Sequence, residues 1–157
     1  MNAVKTAPES ILKMQFRTDA GLGSRANIGM IVLSSDQTLE LEFRTLLDFE
    51  GVALYHARIP NEMEITEGTL AQMEAELPIT ASLLPASFNF DVIGYGCTSG
   101  TTVIGEGRVA KAIRTAHPGI LVTNPLTACK AALSALGLKR IAFLTPYKPA
   151  ITKAMRD

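Results

Sequence analysis

The feature that most constrains the fold is a repeated alternation of short, continuous apolar runs with longer segments of helical periodicity. The first run, residues 28–33, shows no polar alternation, which is typical of a parallel strand covered on both faces. A cluster of N-cap residues, Ser34-Ser35-Asp36, follows, and apolar positions then recur at helical spacing over 39–49, where Gly51 is predicted to end the helix. Four further cycles are predicted, with strands at 52–57, 90–95, 119–123 and 140–144 and helices at 66–84 (bent or interrupted by Pro78), 101–116, 125–136 and from 147. This order predicts an α/β fold, a three-layer, doubly wound parallel sheet.

The chain divides into three predicted regions. Residues 1–26 carry no sustained period and include a small-residue stretch around Gly21 and Gly23, so we interpret them as a flexible lead-in. Residues 27–137 form the first α/β lobe. Residues 138–157 hold a fifth strand and the start of a helix that has no C-terminal glycine, so we interpret them as the opening of a truncated second lobe.

Composition excludes several classes of protein. Of 157 residues, 47% are hydrophobic and 19% charged, which is too apolar for intrinsic disorder. Lys+Arg and Asp+Glu are both 15 and no basic cluster is present, which argues against a nucleic-acid partner. No apolar run approaches the roughly 20 residues of a membrane span. The two cysteines lack the spacing of a zinc site or a disulfide framework. We therefore expect a cytoplasmic globular protein with no membrane partner and no metal.

Ligands of open α/β sheets bind at the carboxyl ends of the strands, so the loops that follow the strands hold the candidate site. The loops after the first, third, fourth and fifth predicted strands hold hydroxyl groups, one thiol, one carboxylate, one amide and one phenol. Cys97 is the most informative residue there, because it ends a buried strand and begins a helix, where thiolate is favoured over thiol. Backbone N–H groups and the Thr98 and Ser99 hydroxyls could hold a carboxylate beside it.

Each candidate has a simpler structural interpretation. Cys97 could be a buried small hydrophobe, and packing is the default for Cys129, which lies inside a predicted helix. Asp36 is most economically an N-cap, although it also faces the predicted site. Structural roles are expected for His56 and His117, which have no triad-like partners nearby in sequence. Gly94 and Gly96 do not complete a dinucleotide-binding fingerprint, because position 99 is serine.

Three stretches, 28–42, 94–100 and 135–147, carry a family resemblance in the same order and at similar separation. Over about residues 27–152 the chain resembles the aspartate/glutamate racemase superfamily, and most closely its maleate cis–trans isomerase and arylmalonate decarboxylase branch, including racemase-like proteins of ectoine utilisation. The resemblance implies two similar lobes with the active site between them and cofactor-free chemistry that uses one cysteine from each lobe.

The resemblance also implies roles for individual residues. Cys97 matches the first-lobe cysteine; the decarboxylases carry glycine there, so cysteine favours isomerase or racemase chemistry. Thr98 and Ser99 match carboxylate-binding hydroxyls, and Tyr147 matches a tyrosine that binds the substrate carboxylate. Asp36 and Thr152 stand where maleate isomerases usually have asparagine, and an ionised Asp36 would repel a dianion. Ser35 and Asn124 complete the predicted substrate-binding set.

The sequence therefore predicts a cofactor-independent isomerase or racemase of a small mono- or dicarboxylic acid. Two alternatives stay open: a decarboxylase of malonate-type acids and a non-catalytic carboxylate-binding module. The predicted partner is a small carboxylate, and a homo-oligomer is left open. We expect this chain to be inactive without a second lobe, because a single lobe supplies one wall of the site.

Overall fold

The computed structural model describes residues 13–62, 64 and 66–156, and this part of the chain contains four strands and six helices. In chain order they are β1 (Ala26–Leu33), α1 (Leu39–Leu46), β2 (Val52–Ile59), α2 (Glu67–Ser82), β3 (Val92–Tyr95), α3 (Thr98–Ile104), α4 (Glu106–Ala116), β4 (Leu121–Thr123), α5 (Pro125–Ala135) and α6 (Pro149–Arg156).

All strand pairs are parallel, and the strands lie in the order β2-β1-β3-β4. The chain passes from β1 to one side to form β2, and then returns to form β3 and β4 on the other side. The topological switch therefore lies between β1 and β3, whose carboxyl ends carry the loops at 34–38 and 96–97. The predicted α/β class with a parallel sheet flanked by helices is confirmed.

The core lies between one face of the sheet and the helices α2 and α4. Ile31, Ile93 and Tyr95 project from neighbouring strands into a cluster with Leu77 of α2 and Ile113 of α4, and all five are almost fully buried. Pro78 lies inside α2, which nevertheless runs on to Ser82. A proline removes one backbone donor from a helix, and here that loss is tolerated without an interruption.

The prediction of a fifth strand is wrong for the part of the chain that the structure describes. Residues 140–144 form no strand, and the sheet ends at the three-residue β4. Ile141, Phe143 and Leu144 are 52%, 42% and 93% exposed. A strand needs hydrogen bonds from a neighbouring strand, and this apolar run has no such partner within the described residues.

The predicted third helix, 101–116, is in fact two helices. α3 begins at Thr98, directly after Cys97, and ends at Ile104. Gly105 has a φ of 93°, a conformation that favours glycine, and it separates α3 from α4. α3 therefore has only seven residues, and its dipole is smaller than that of the long helix expected from the sequence.

Two further expectations are corrected by the structure. α1 ends at Leu46, and Gly51, with a φ of 79°, lies instead in the turn that leads into β2. Cys129 is exposed on α5, which has no buried residue, so packing does not explain this cysteine.

The structure describes only part of the predicted lead-in. Residues 1–12 lie outside the described part of the chain, and 13–25 contain neither helix nor strand. Among the helices that are described, none has the length and apolar character needed to cross a membrane.

The half-buried His56 on β2 makes the stability of the folded chain depend on pH. Its Nε2 is enclosed without a hydrogen-bond partner in the described chain, and desolvation lowers its pKa below the ordinary value of 6.5. Glu40 opposes this shift, while Arg44 and Arg58 add to it. The unfolded chain therefore binds a proton more readily than the folded chain, and stability is lost as the pH falls through about 6.5.

We expect the free energy of unfolding, measured by urea denaturation, to fall between pH 7.5 and pH 5.5. His56→Gln is expected to reduce that fall, because the variant lacks the histidine whose pKa is lowered in the folded chain. The pKa of Asp36 is lowered from 3.8, so this residue affects stability only at more acidic pH. It therefore does not contribute to the change in unfolding free energy between pH 7.5 and pH 5.5. An equal loss of stability in the variant and the parent would contradict this account.

Candidate active site

The Cys97 side chain lies in a polar turn at the end of β3. Cys97 is the N-cap of α3, and its Sγ accepts a hydrogen bond from the Gly100 backbone N–H at 3.2 Å. The Ser99 hydroxyl lies 3.7 Å from the same sulfur. The Thr101 hydroxyl donates to the Cys97 carbonyl at 2.7 Å and fixes the turn. The sulfur is therefore held by local polar groups rather than by a long helix dipole.

Cys97 opens onto a cavity of about 200 Å³ at the carboxyl edge of the sheet. This volume is below the roughly 300–1,000 Å³ of pockets for drug-sized ligands, and it suits a small metabolite. Ser35 and Ser99 share the wall with Cys97, so the structure brings together three of the residues predicted from sequence. The cavity is lined by Leu33, Ser35, Asn61, Glu62, Glu64, Thr69, Leu70, Met73, Cys97 and Ser99.

A larger cavity of about 440 Å³ lies at the opposite edge of the sheet, beside Asp91 and His117. His117 Nε2 is 2.9 Å from the Ala81 carbonyl and its ring packs edge-on against Phe90, so this histidine ties α2 to the core, as predicted. No cysteine lines this second cavity, and the nucleophile that the sequence predicts lies at the other edge.

Asn61 orders the loop that contributes Ser35. Its Oδ1 accepts hydrogen bonds from the Ser34 hydroxyl at 2.9 Å and from the Ser35 N–H at 3.1 Å. Its Nδ2 donates to the Ser35 hydroxyl at 2.9 Å. Asn61 thus links the loop after β2 to the loop after β1, and it holds Ser35 at the cavity wall.

Asp36 does not line the cavity, and Thr38, two residues further on, is the N-cap of α1 in place of the predicted Asp36. The Asp36 Oδ1 accepts from the backbone N–H groups of Leu39 and Thr38 at 2.8 and 2.9 Å. These bonds, with Leu39 first, lower the pKa of Asp36, and Arg58 adds a smaller effect. The carboxylate is ionised but is not part of the cavity wall. The repulsion expected between this residue and a dianionic substrate is therefore not directed into the cavity.

Arg58 supports the same loop from the edge of the sheet. Its Nη1 donates to the carbonyls of Ser34 and Asp36, both at 3.0 Å, while Nε pairs with Glu40 at 2.9 Å. Each of these contacts is partly exposed, so none adds much stability on its own. Together they fix the path of the chain from β1 to α1.

Three other predicted site residues do not line the cavity. Thr98 is half-buried beside Cys97. Asn124 caps α5, with its Oδ1 accepting from the Leu126 and Thr127 N–H groups. Tyr147 lies in a turn in which its N–H donates to Thr145 and its carbonyl accepts from the Thr152 hydroxyl. Contact of these residues with a substrate stays a prediction.

Sequence reasoning missed the second half of the wall, which is formed by Asn61, Glu62, Glu64 and Thr69. The first two follow β2, whose loop also lies at the carboxyl edge of the sheet. Inspecting that loop together with the others would have found them. Two carboxylates therefore face a cavity that was expected to bind a carboxylate. Within the described ranges, no three His, Cys, Asp or Glu side chains form a group that could hold a metal ion.

The structure is a parallel α/β lobe with a cysteine and hydroxyl groups at its topological switch point, which is where open α/β proteins bind their ligands. No family model and no curated protein sequence matches the chain, but solved structures do. Maleate isomerase Iso from Pseudomonas putida S16, in a cysteine-to-alanine variant with maleate, matches with a TM-score of 0.65 and 25% identity over 83% of this chain. Nocardia farcinica maleate cis–trans isomerase bound to Tris matches with a TM-score of 0.67 and 27% identity over 82%.

Unliganded arylmalonate decarboxylase also matches, with a TM-score of 0.61 over 83% of this chain and 55% of its own, and its 22% identity supports the fold alone. These neighbours are members of the aspartate/glutamate racemase-like superfamily, so the predicted resemblance is confirmed at the level of the fold. The chain spans 56% of the length of each of the two isomerases.

Proposed function

We propose that the chain supplies one lobe of a cofactor-independent isomerase or racemase of small carboxylic acids, with the Cys97 thiolate as the reacting group. One observation carries this proposal: Cys97, which is 5% exposed, shares a small cavity with Ser99 and Ser35. A nucleophile and hydroxyl donors on one wall are the groups that addition to an activated acid requires. The two maleate isomerases among the structural neighbours favour a cis–trans isomerisation.

In that reaction, the sulfur lone pair forms a C–S bond to one alkene carbon of maleate. The π electrons move to the neighbouring carbon, where the adjoining carboxylate delocalises them. The bond between the two carbons is then single and can rotate. Reversal expels the thiolate and leaves fumarate, so no proton or electron is gained or lost overall. The Ser99 hydroxyl, 3.7 Å from Sγ, is placed to donate to a substrate carboxylate next to the sulfur.

The acidic half of the cavity wall restricts how a substrate can lie. Glu62 and Glu64 would repel a second carboxylate, so a diacid must direct that group away from α2 and toward the open side of the cavity. We propose that a second lobe covers this open side. It would exclude water and supply an acid/base on the opposite face of the substrate.

The same two glutamates favour a second candidate function, racemisation of a small amino acid. An ammonium group would find a favourable partner in either carboxylate, while the substrate carboxylate binds near Ser99. Cys97 would then remove the α-proton, and an acid from the other lobe would return a proton to the opposite face. A decarboxylase is less well supported, because cysteine rather than glycine occupies position 97.

The test uses the chain continued by a second racemase-like lobe, incubated in turn with maleate, small L-amino acids and malonates. Proton NMR detects fumarate, chiral chromatography detects the D-amino acid, and released carbon dioxide reports decarboxylation. We expect fumarate from maleate. Racemised amino acid alone would favour the second candidate, and carbon dioxide alone would establish the decarboxylase. Binding of these acids without any turnover would leave a carboxylate-binding module and refute the enzymatic proposal.

A further inference from the structure

The Tyr95 hydroxyl is a buried polar group for which the fold supplies no full hydrogen bond. Tyr95 ends β3, its ring belongs to the core cluster, and the residue is 1% exposed. No atom in the described part of the chain meets hydrogen-bond geometry with its Oη. Leaving such a donor unpaired costs stability, so the group calls for an explanation beyond packing.

The Tyr95 hydroxyl and the Cys97 sulfur both lie close to Gly100. A Cβ placed on Gly100 would lie 2.6 Å from Tyr95 Oη and 2.9 Å from Cys97 Sγ, so only a glycine leaves room for both atoms. The pKa of Tyr95 is raised far above its ordinary value of 10.0, first by burial and then by the adjacent Cys97. The phenol therefore stays protonated and can donate a hydrogen bond.

We propose that Tyr95 is a positioning residue that stabilises the thiolate form of Cys97 by donating a hydrogen bond to its Sγ. In the described part of the chain the hydroxyl has no partner with hydrogen-bond geometry, and a neutral thiol is only a weak acceptor. When the thiol releases its proton to solvent, the sulfur becomes an anionic acceptor. The Gly100 N–H, the Ser99 hydroxyl and the Tyr95 hydroxyl can then all donate to it.

The biological use of this contact rests on the proposed function, because only a reacting cysteine needs to be ionised. The contact itself is measurable without turnover. The exposed Cys129 on α5 provides an internal control in the same molecule. If no turnover is found but Tyr95 affects the ionisation of Cys97, the proposed function is refuted and the Tyr95–Cys97 hydrogen bond stands. If turnover is found but Tyr95 has no such effect, only the hydrogen bond is refuted.

The experiment compares the 157-residue chain with its Tyr95→Phe variant, which loses only the hydroxyl. Iodoacetamide alkylation of Cys97 and Cys129 is followed from pH 6 to pH 10 by peptide mass spectrometry. At pH 7 we expect Cys97 to react roughly threefold to tenfold more slowly in the variant, because fewer sulfurs are ionised. At pH 10 the two rates converge or reverse, since a thiolate without the hydrogen bond is the stronger nucleophile. Cys129 should react equally in both proteins.

A second measurement separates this role from a structural one. Removing an unpaired buried hydroxyl should leave the thermal midpoint unchanged or raise it, while the ultraviolet absorbance of the Cys97 thiolate appears at more alkaline pH. Equal Cys97 rates at every pH would overturn the proposal. A uniform slowing that persists at pH 10, or an equal slowing of Cys129, would also overturn it, because either result indicates altered access or folding.

Discussion

Replacing Cys97 with alanine is expected to lower the conversion of maleate to fumarate by at least about 10³-fold in the protein that contains both lobes. The reaction has no other route through this wall of the cavity, because no other cysteine lines it in the described part of the chain. Cys97→Ser should be nearly as inactive, since a serine hydroxyl is hardly ionised at neutral pH. Fumarate formation followed by NMR measures both effects.

Cys129→Ala is the matched control for this prediction. It removes the same side chain from an exposed helix position outside the cavity, so we expect its turnover to equal that of the parent. Folding of each variant is checked by its thermal midpoint. If Cys97→Ala turned over maleate at nearly the rate of the parent, Cys97 would not take part in the reaction.

The 157-residue chain by itself is expected to give no detectable turnover of maleate. Without the proposed second lobe the open side of the cavity is uncovered, so water competes for each donor that would bind a carboxylate. Residues 140–144 expose Ile141, Phe143 and Leu144 and do not join the sheet. We expect the addition of a second lobe to cover the site and restore turnover.

Fumarate formation is measured on the short and the long protein at equal concentration. Circular dichroism and a cooperative thermal transition show that the short chain is folded. Turnover by a folded, monomeric short chain at a rate similar to that of the long protein would contradict the proposal that the site needs two lobes.

Local signals predicted most of the lobe. The continuous apolar run at 28–33 gave the central strand, and the position of Cys97 between a buried run and a helix placed it at the switch point. Asp36 is expected from its position to be an N-cap; its carboxylate does accept hydrogen bonds from the backbone N–H groups of Thr38 and Leu39, although Thr38 is the N-cap of α1. These features depend on neighbours close in sequence, which is why sequence analysis reaches them.

The features that escaped sequence analysis depend on tertiary context. Residues 140–144 have the composition of a strand, but a strand forms only where a neighbour supplies hydrogen bonds. Gly105 interrupts a run of good helical periodicity through a positive φ that the pattern does not reveal. Glu62 and Glu64 reach the cavity because β2 and β1 are adjacent in the sheet. Tyr95 is an ordinary buried strand residue by pattern, and its relation to Cys97 appears only in three dimensions.

The most direct test of the central claim is whether maleate occupies the space beside the Cys97 sulfur. The two-lobe protein is treated with iodoacetamide over a range of maleate concentrations, and the alkylation of Cys97 and Cys129 is measured separately by mass spectrometry. We predict that maleate slows alkylation of Cys97 in a saturable manner and leaves Cys129 unaffected. Alkylation of Cys97 at the same rate at every maleate concentration, or equal slowing of both cysteines, would contradict the account.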